Sequence, residues 1–393
     1  MTEPHILFIT GEYPPMEGGV GAYTQELGRA LTELGARVSV LTGRDARQAG
    51  QAGPMHVYPA VERWGPAVWR RAPALAREAG ADWLHVQYQT AAYAMNPAIN
   101  FAPDVWRRTA PDLNLAWTYH DLLVPYLFPK AGAGIRKRVT VRPARRAQVV
   151  VATNRGDALL LEQYAGDRLH QIAIGSNITG VTLGEEERRR VRARYGYDDG
   201  DVVLAYFGFL NRSKGGATLI RTLARLHADR PDVRLLMIGE RVGASDPTNF
   251  AYLQEVETLI DALGVGPFVR WTGRLDDADV AAALNACDIL LMPYEDGAAL
   301  RRGTLMAGLA NGCAIVTTTP QSPLPELADE RELLYFAPGN DQAAARVITR
   351  LLDLPALARR LRTNARAAAR LFAWDRIAQE HLAMYAACRT DNA

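Results

Sequence analysis

Ten short apolar runs, separated by stretches of helical periodicity, constrain this chain more than any other feature of its sequence. In the first half they lie at 5–10 (HILFIT), 37–42 (RVSVLT), 83–88 (WLHVQY), 115–120 (LAWTYH) and 148–153 (QVVVAT). The second half repeats the rhythm at 202–207, 233–238, 268–272, 289–293 and 314–319. Continuous apolar runs of this length, separated by helices, predict parallel strands covered on both faces. Between the first two, Tyr23, Leu27, Leu31 and Leu34 line one face of a helix predicted over 20–34, closed by Gly35. The expected fold class is α/β, with two Rossmann-like, doubly wound parallel-sheet domains facing across a cleft. At 393 residues each domain can bury its own core. The boundary is expected near 175–183, where the strand-like run 170–174 ends in Gly175-Ser176-Asn177.

Composition narrows the function classes. Hydrophobic content of 48% and charged content of 22% are those of a soluble globular protein. No apolar run approaches the roughly 20 residues that span a bilayer. The start of the chain lacks the basic and apolar regions of a signal peptide, and a cytoplasmic protein is expected. Cys287, Cys313 and Cys388 share no metal-ligand spacing, which fits a reducing compartment. A net charge of +2 calls for no polyanionic partner, and nucleic acid is not expected. The basic residues are nevertheless uneven. Arg188, Arg189, Arg190, Arg192 and Arg194 follow Glu185-Glu186-Glu187, the pattern of a solvated, salt-laced helix. The cluster at 136–146 has no acidic neighbours. Two readings stay open for it: a plain surface, or contact with acidic headgroups at the inner membrane face or with an anionic acceptor.

Four loops carry residue types suited to chemistry. Gly18-Gly19 precedes a helix start after the first strand, where free N–H groups would face a phosphate. The pattern is not G-x-G-x-x-G, and Leu41-Thr-Gly43 stands where a dinucleotide site has its acidic residue. Gly208-Phe-Leu-Asn-Arg212-Ser-Lys214-Gly215-Gly216 places two cations at a strand's carboxyl end, as a diphosphate clamp would. Glu295-Asp296 and Arg301-Arg302-Gly303-Thr304 join the strand at 289–293 to a helix. The arginines and the helix start suit phosphate, and the acids suit sugar hydroxyls. The arginines could equally do no more than pair with those acids. His120-Asp121 ends the strand at 115–120, whereas His85 lies inside an apolar strand and reads as core.

In this order, the pieces resemble the GT-B glycosyltransferases, specifically the retaining family 4 (group 1) enzymes. The resemblance rests on Pro14-Pro15-x-x-Gly18-Gly19, Leu84-His-Val-Gln-Tyr88, Thr118-Tyr-His-Asp121 and Gly208 through Lys214-Gly215. It continues in Gly273-Arg-Leu275, Leu324-Pro-Glu326-Leu and the closing Phe372-Ala-Trp374 helix. It implies an acceptor-side domain, 1–178, rejoined by the helix 372–393, and a donor-side domain, 179–371. Lys214, exposed in the cleft, would hold the donor diphosphate with Arg212 and Gly208, and Gly19 would approach from the opposite domain. Leu275 would touch the base, Glu326 would lie on the donor side, and His120 would lie near the transferred sugar. Neither metal nor cofactor is implied beyond the nucleotide-diphosphate sugar itself.

This sequence departs from the family in two places. Phe209 replaces the usual arginine after the first C-terminal strand, with Arg212 the candidate substitute. Two glutamates expected eight positions apart are Ala299 and Ala307 here, with Glu295 or Asp296 the candidates for the first role. The leading expectation is a sugar transferase acting on a hydroxyl acceptor. A non-catalytic nucleotide-sugar or glycan-binding protein and a nucleotide-sugar 2-epimerase are the alternatives.

Overall fold

The computed structural model describes residues 3–16, 18–49, 55–122, 129–241 and 247–390. Glu17 of the glycine turn and the chain ends at 1–2 and 391–393 lie outside the described residues. The chain forms two units, Met1–Gly175 with Ala373–Ala393, and Ser176–Phe372.

The first unit holds β1 (His5–Thr10), β2 (Arg37–Gly43), β3 (His56–Val61), β4 (Trp83–Tyr88), β5 (Asn114–Tyr119), β6 (Val149–Ala152) and β7 (Leu169–Gln171). All pair in parallel, in the order β3-β2-β1-β4-β5-β6-β7. The helices are α1 (Gly19–Glu33), α2 (Val68–Ala79), α3 (Ala98–Thr109), α4 (Gly132–Thr140) and α5 (Arg155–Ala165). Strand alternation divides the core between two layers. Leu7, Ile9, Val86 and Trp117 pack on one face with Trp106 of α3 and Leu161 of α5. Ile6, Phe8, Val40 and Ala116 pack on the other with Leu27 and Leu31 of α1. Leu34 is 40% exposed, because α1 ends at Glu33 and turns away through Gly35 at φ 95°.

The second unit holds β8 (Val202–Phe207), β9 (Val233–Ile238), β10 (Val269–Trp271), β11 (Ile289–Met292), β12 (Ile315–Thr318) and β13 (Leu334–Phe336). Their order is β10-β9-β8-β11-β12-β13, again parallel. The helices are α6 (Glu185–Arg194), α7 (Gly216–Asp229), α8 (Pro247–Ala262), α9 (Asp277–Ala286), α10 (Gly303–Ala310), α11 (Asp341–Asp353) and α12 (Pro355–Ala369). In each sheet the strand order reverses, between β1 and β4 and between β8 and β11. A doubly wound sheet binds ligands at the carboxyl ends of such strands.

The last helix, α13 (Trp374–Thr390), belongs to the first unit. Its Tyr385 hydroxyl bonds His85 Nδ1 at 2.5 Å, and His85 Nε2 bonds Thr118 Oγ1 at 2.7 Å. Burial holds His85 well below the usual histidine pKa, so it is a neutral, satisfied core residue. A Cβ at Gly175 would lie 2.6 Å from the Trp374 indole, so the chain can leave the sheet beside α13 only through glycine.

The start of α1 differs from its expected form. Glu12 Oε1 accepts from Val20 N at 2.9 Å and Gly21 N at 3.3 Å, so a carboxylate of this chain already caps the helix. Two of the amides expected to be free for phosphate are therefore taken. Gly18 is glycine for contact rather than for backbone strain. Its φ is 176°, but a Cβ there would meet Glu12 Oε1 at 2.1 Å. Gly19 has nothing within 4 Å of its Cβ position and is the open point of the turn. Glu12→Ala is expected to destabilise the protein by about 1–2 kcal/mol through loss of this cap. The check is thermal unfolding: a lowered Tm for Glu12→Ala and Gly18→Ala is expected, and an unchanged Tm for both contradicts the cap.

Candidate functional site

The second unit gathers its polar groups at the carboxyl ends of β8 and β11. β8, β9 and β10 lead at once or within one residue into glycines with positive φ: Gly208 at 106°, Gly239 at 103° and Gly273 at 69°. A Cβ placed on Gly239 would be 3.9 Å from the Gly208 backbone, and Gly239 bridges Gly273. The strand ends thus form a floor without side chains, open to close approach by a ligand. Gly273 stands in a motif visible in sequence, but Gly239 was missed. Its signal was the repetition of glycine straight after a predicted strand, as at Gly208.

Lys214 and Arg302 stand over this floor. A Cβ at Gly208 would lie 2.9 Å from Lys214 Nζ and 3.0 Å from Thr304 Cγ2, so glycine lets both side chains close on the strand end. Lys214 is half-buried, not exposed as expected. Burial first, and the Arg302 charge second, lower its pKa to about 8. No carboxylate pairs with Lys214 among the described residues. Arg302 lies 4.8 Å over the Tyr294 ring and its Nε is buried without a partner. Tyr294 shares a 2.7 Å hydrogen bond with Thr304 Oγ1. α10 begins at Gly303 with no side-chain cap, leaving the amides of Gly303 and Thr304 free among the described residues. Two crowded cations at an uncapped helix start have the chemistry suited to an anion.

Other expected residues divide. Arg212, expected to share the clamp, points to α8 instead. Its Nη2 donates to both Glu255 oxygens at 2.7 and 2.8 Å, and its guanidinium lies 4.9 Å over the Tyr252 ring. A carboxylate and an aromatic face within reach hold it there, 71% exposed. Asp296 pairs with both Arg301, at 3.0 Å, and Arg302, so the loop is ordered by its own charges. Glu295 Oε1 accepts from Thr218 Oγ1 at 3.0 Å, on α7. Ala307 is buried within α10, and nothing there replaces the usual second glutamate. Leu275 is half-exposed beyond β10, and Glu326 keeps a buried Oε2 with no partner among the described residues.

In the first unit, His120 follows β5 and stacks edge-on against Tyr23 of α1, with centroids 4.6 Å apart. Its Nε2 lies 3.0 Å from Gln87 Oε1. With the amide in this orientation, Nε2 carries the proton and donates, and Nδ1 is left as an acceptor. Burial, with His381 adding to it, lowers the His120 pKa to about 3, so the ring is neutral at physiological pH. Gln87 is fully buried at the end of β4; its polarity inside an apolar strand was the overlooked signal. Gln89 Nε2 donates to Asp121 at 2.9 Å on the same edge. In the basic cluster, Arg142 and Arg146 both pair with Asp104, at 2.6 and 2.9 Å. Lys137 and Arg138 stay exposed. No described helix is long and apolar enough to cross a membrane.

Known proteins share this fold. Residues 187–368 match the family described as Glycosyl transferases group 1, and residues 17–178 match Glycosyltransferase Family 4. A D-inositol 3-phosphate glycosyltransferase of Jonesia denitrificans is 25% identical across 94% of this chain and 91% of its own length. One from Nocardioides sp. is 26% identical across 54% of this chain and 48% of its own. The chain spans about half the length of several such relatives. The Anabaena protein HepE, solved with UDP and glucose, shares the fold at a TM-score of 0.77 and 19% identity, covering 98% of this chain and 100% of that one. The two family matches take up most of the sequence, and the chain belongs to the group 1 (family 4) glycosyltransferases, on a GT-B fold.

Proposed function

We propose that this chain transfers a hexose from a nucleoside-diphosphate sugar to a hydroxyl acceptor, with retention of configuration and without a metal. The observation that carries the reading is Lys214, without a carboxylate partner among the described residues, crowded by Arg302 at the free start of α10. The solved complex of HepE with UDP and glucose makes a uridine diphosphate sugar the first donor to test.

The bond between the anomeric carbon and the diphosphate oxygen breaks as negative charge gathers on the leaving group. Lys214, Arg302 and the Gly303 and Thr304 amides are placed to take up that charge as it develops. The acceptor oxygen bonds the anomeric carbon on the face that the diphosphate leaves, and its proton passes to the departing phosphate oxygen. No carboxylate pair of glycosidase type is required. Neutral His120, held in orientation by Gln87, offers Nδ1 to an acceptor hydroxyl. The buried Ala307 favours a second reading, a nucleotide-sugar-binding protein without turnover. Release of nucleoside diphosphate from a panel of donors, with and without acceptor extracts, separates the two. Binding without release supports the second reading, and neither binding nor release sinks both.

The charge pair has a pH signature. Lys214 is protonated below its lowered pKa of about 8 and loses its charge above it. kcat/KM for the donor is therefore expected to hold below pH 8 and to fall on the alkaline side. Arg302→Ala should weaken donor binding by about tenfold or more and move the alkaline fall to higher pH, since one of the two causes of the shift is gone. Donor affinity unchanged by calorimetry would return Arg302 to a role in loop order alone. Between pH 8 and 10.5 the unfolded chain binds the Lys214 proton more tightly than the folded one, so burying the charge costs stability at neutral pH. Lys214→Met should consequently abolish turnover while raising Tm by about 1–4 °C. Turnover within twofold of the parent would refute the assignment. Gln87→Leu should lower kcat by about tenfold or more with little change in donor KM, because it frees the His120 tautomer. An unchanged kcat would remove Gln87 from the account.

A further inference from the structure

Four arginines from three separate segments line one cavity of about 480 Å³ in the first unit. Arg107 comes from the last turn of α3, Arg145 and Arg146 from the turn before β6, and Arg168 from the turn before β7. In the sequence, only Arg145 and Arg146 stand together, at the end of the basic cluster at 136–146. The fold brings the other two to them. The cavity lies at the amino ends of β4 and β5, beside Leu84 and Leu115. Gln87 and His120 stand at the opposite ends of those strands, about 10–17 Å away along the chain. The transfer reaction makes no use of this edge.

The charges in the cavity are not balanced by acids. Arg146 pairs with Asp104 at 2.9 Å, but Asp104 also takes Arg142 at 2.6 Å, so one carboxylate serves two cations. Asp112, on the same side of α3, is taken by Arg77 at 2.7 Å. Arg107, Arg145 and Arg168 pair with no carboxylate among the described residues. Neutral groups hold two of them instead. Arg168 donates to the Ala147 carbonyl and, at 3.1 Å, to the Tyr164 carbonyl. Arg145 lies 4.9 Å over the Tyr164 ring. Carbonyls and a ring fix a guanidinium in place without cancelling its charge. Burial first, and the Arg107 charge second, lower the Arg168 pKa, as crowded cations do. A guanidinium keeps its proton at any physiological pH, so an anion rather than a lost proton relieves the crowding. Gln148, also in the lining, is turned to the sheet, where Oε1 accepts from Leu115 N at 2.5 Å.

We infer that this cavity binds a linear polyphosphate anion carrying three or more negative charges, on Arg107, Arg145, Arg146 and Arg168. Size and charge set that class. The volume lies in the range of about 300–1,000 Å³ typical of small-molecule sites, larger than one phosphate group fills. Three guanidiniums without acidic partners call for a matching number of anionic charges. Their planar donors suit phosphoryl oxygens, which they bind two at a time. The Gln148 amide is committed to the sheet, so recognition rests on charge and not on a base. The site is separate from Lys214 and Arg302, which belong to the second unit, and it stands whether or not the chain turns over a donor.

The test is calorimetric titration of sodium triphosphate into Lys214→Met, a background that removes the donor-side lysine as a competing phosphate site. One saturable site is expected there, with orthophosphate weaker by about tenfold or more. Arg168→Gln should weaken triphosphate by about tenfold or more. Because Arg168 also braces two carbonyls, the exposed pair Arg107→Gln with Arg145→Gln is the second probe, and it should weaken triphosphate by a similar factor at unchanged Tm. Arg359→Gln, which removes the same charge from α12 in the other unit, should leave the affinity within twofold. Absence of saturable triphosphate binding in Lys214→Met overturns the inference. So does an affinity that the Arg107 and Arg145 changes leave unmoved, or one that Arg359→Gln lowers equally, since that marks a response to net charge alone. UDP titrated into the Arg107 and Arg145 variant with Lys214 intact should bind as in the parent, so a failure here leaves the donor site standing.

Discussion

Lys214 and Arg302 are held close enough that each opposes the other's charge, and burial removes much of the water that would soften the repulsion. Such a pair costs folding energy, and the surrounding architecture explains how it is held. Gly208 admits both Lys214 and Thr304 to the end of β8, as any side chain there would strike them. Gly215 packs so closely under β11 that a Cβ would sit 1.8 Å from the Pro293 carbonyl, fixing the loop that carries Lys214. Asp296 orders the Arg301-Arg302 loop from its outer side, and the Tyr294 ring supports the guanidinium from below. A diphosphate placed here would gain from charges that are already assembled, with no reorganisation left for the moment of reaction.

The first unit treats the equivalent position differently. There too a glycine turn leads from the first strand into a helix, but Glu12 occupies the helix start that an anion would otherwise fill. Burial raises the Glu12 pKa, with the two amide bonds opposing that rise. Two sheets of the same winding thus present opposite electrostatics at their switch points, one cationic and open, the other closed by a carboxylate. That contrast is the physical reason to look for anion binding at the switch point of the second unit, while Gly19 is the open point of the first unit's turn.

Most of the fold was legible because it depends on pattern. All ten apolar runs became strands within a residue or two, and the reversal of strand order follows from winding rules. The strands that were not predicted lie at or near sheet edges. β3 contains Pro59 and is only partly buried, and β13 has three residues, so neither carries the continuous apolar signal of a central strand. The site was less legible because it depends on partners. Arg212 and Lys214 are two residues apart and look alike in sequence. What separates them is Glu255, 43 positions away, which claims the arginine and leaves the lysine unpaired. Glu12 and Gln87 were hidden for the same reason, since their roles follow from Val20 and His120, which only the folded chain brings near.

The charge pair is tested most directly by the titration of Lys214 itself, followed by NMR of lysine side chains labelled at Cε, with Lys214→Met identifying the resonance. The account predicts a pKa near 8 in the free protein, rising by more than one unit when UDP is added and the diphosphate shares the site. A free value close to the ordinary lysine pKa of about 10.4, or one that UDP leaves unmoved, would contradict it.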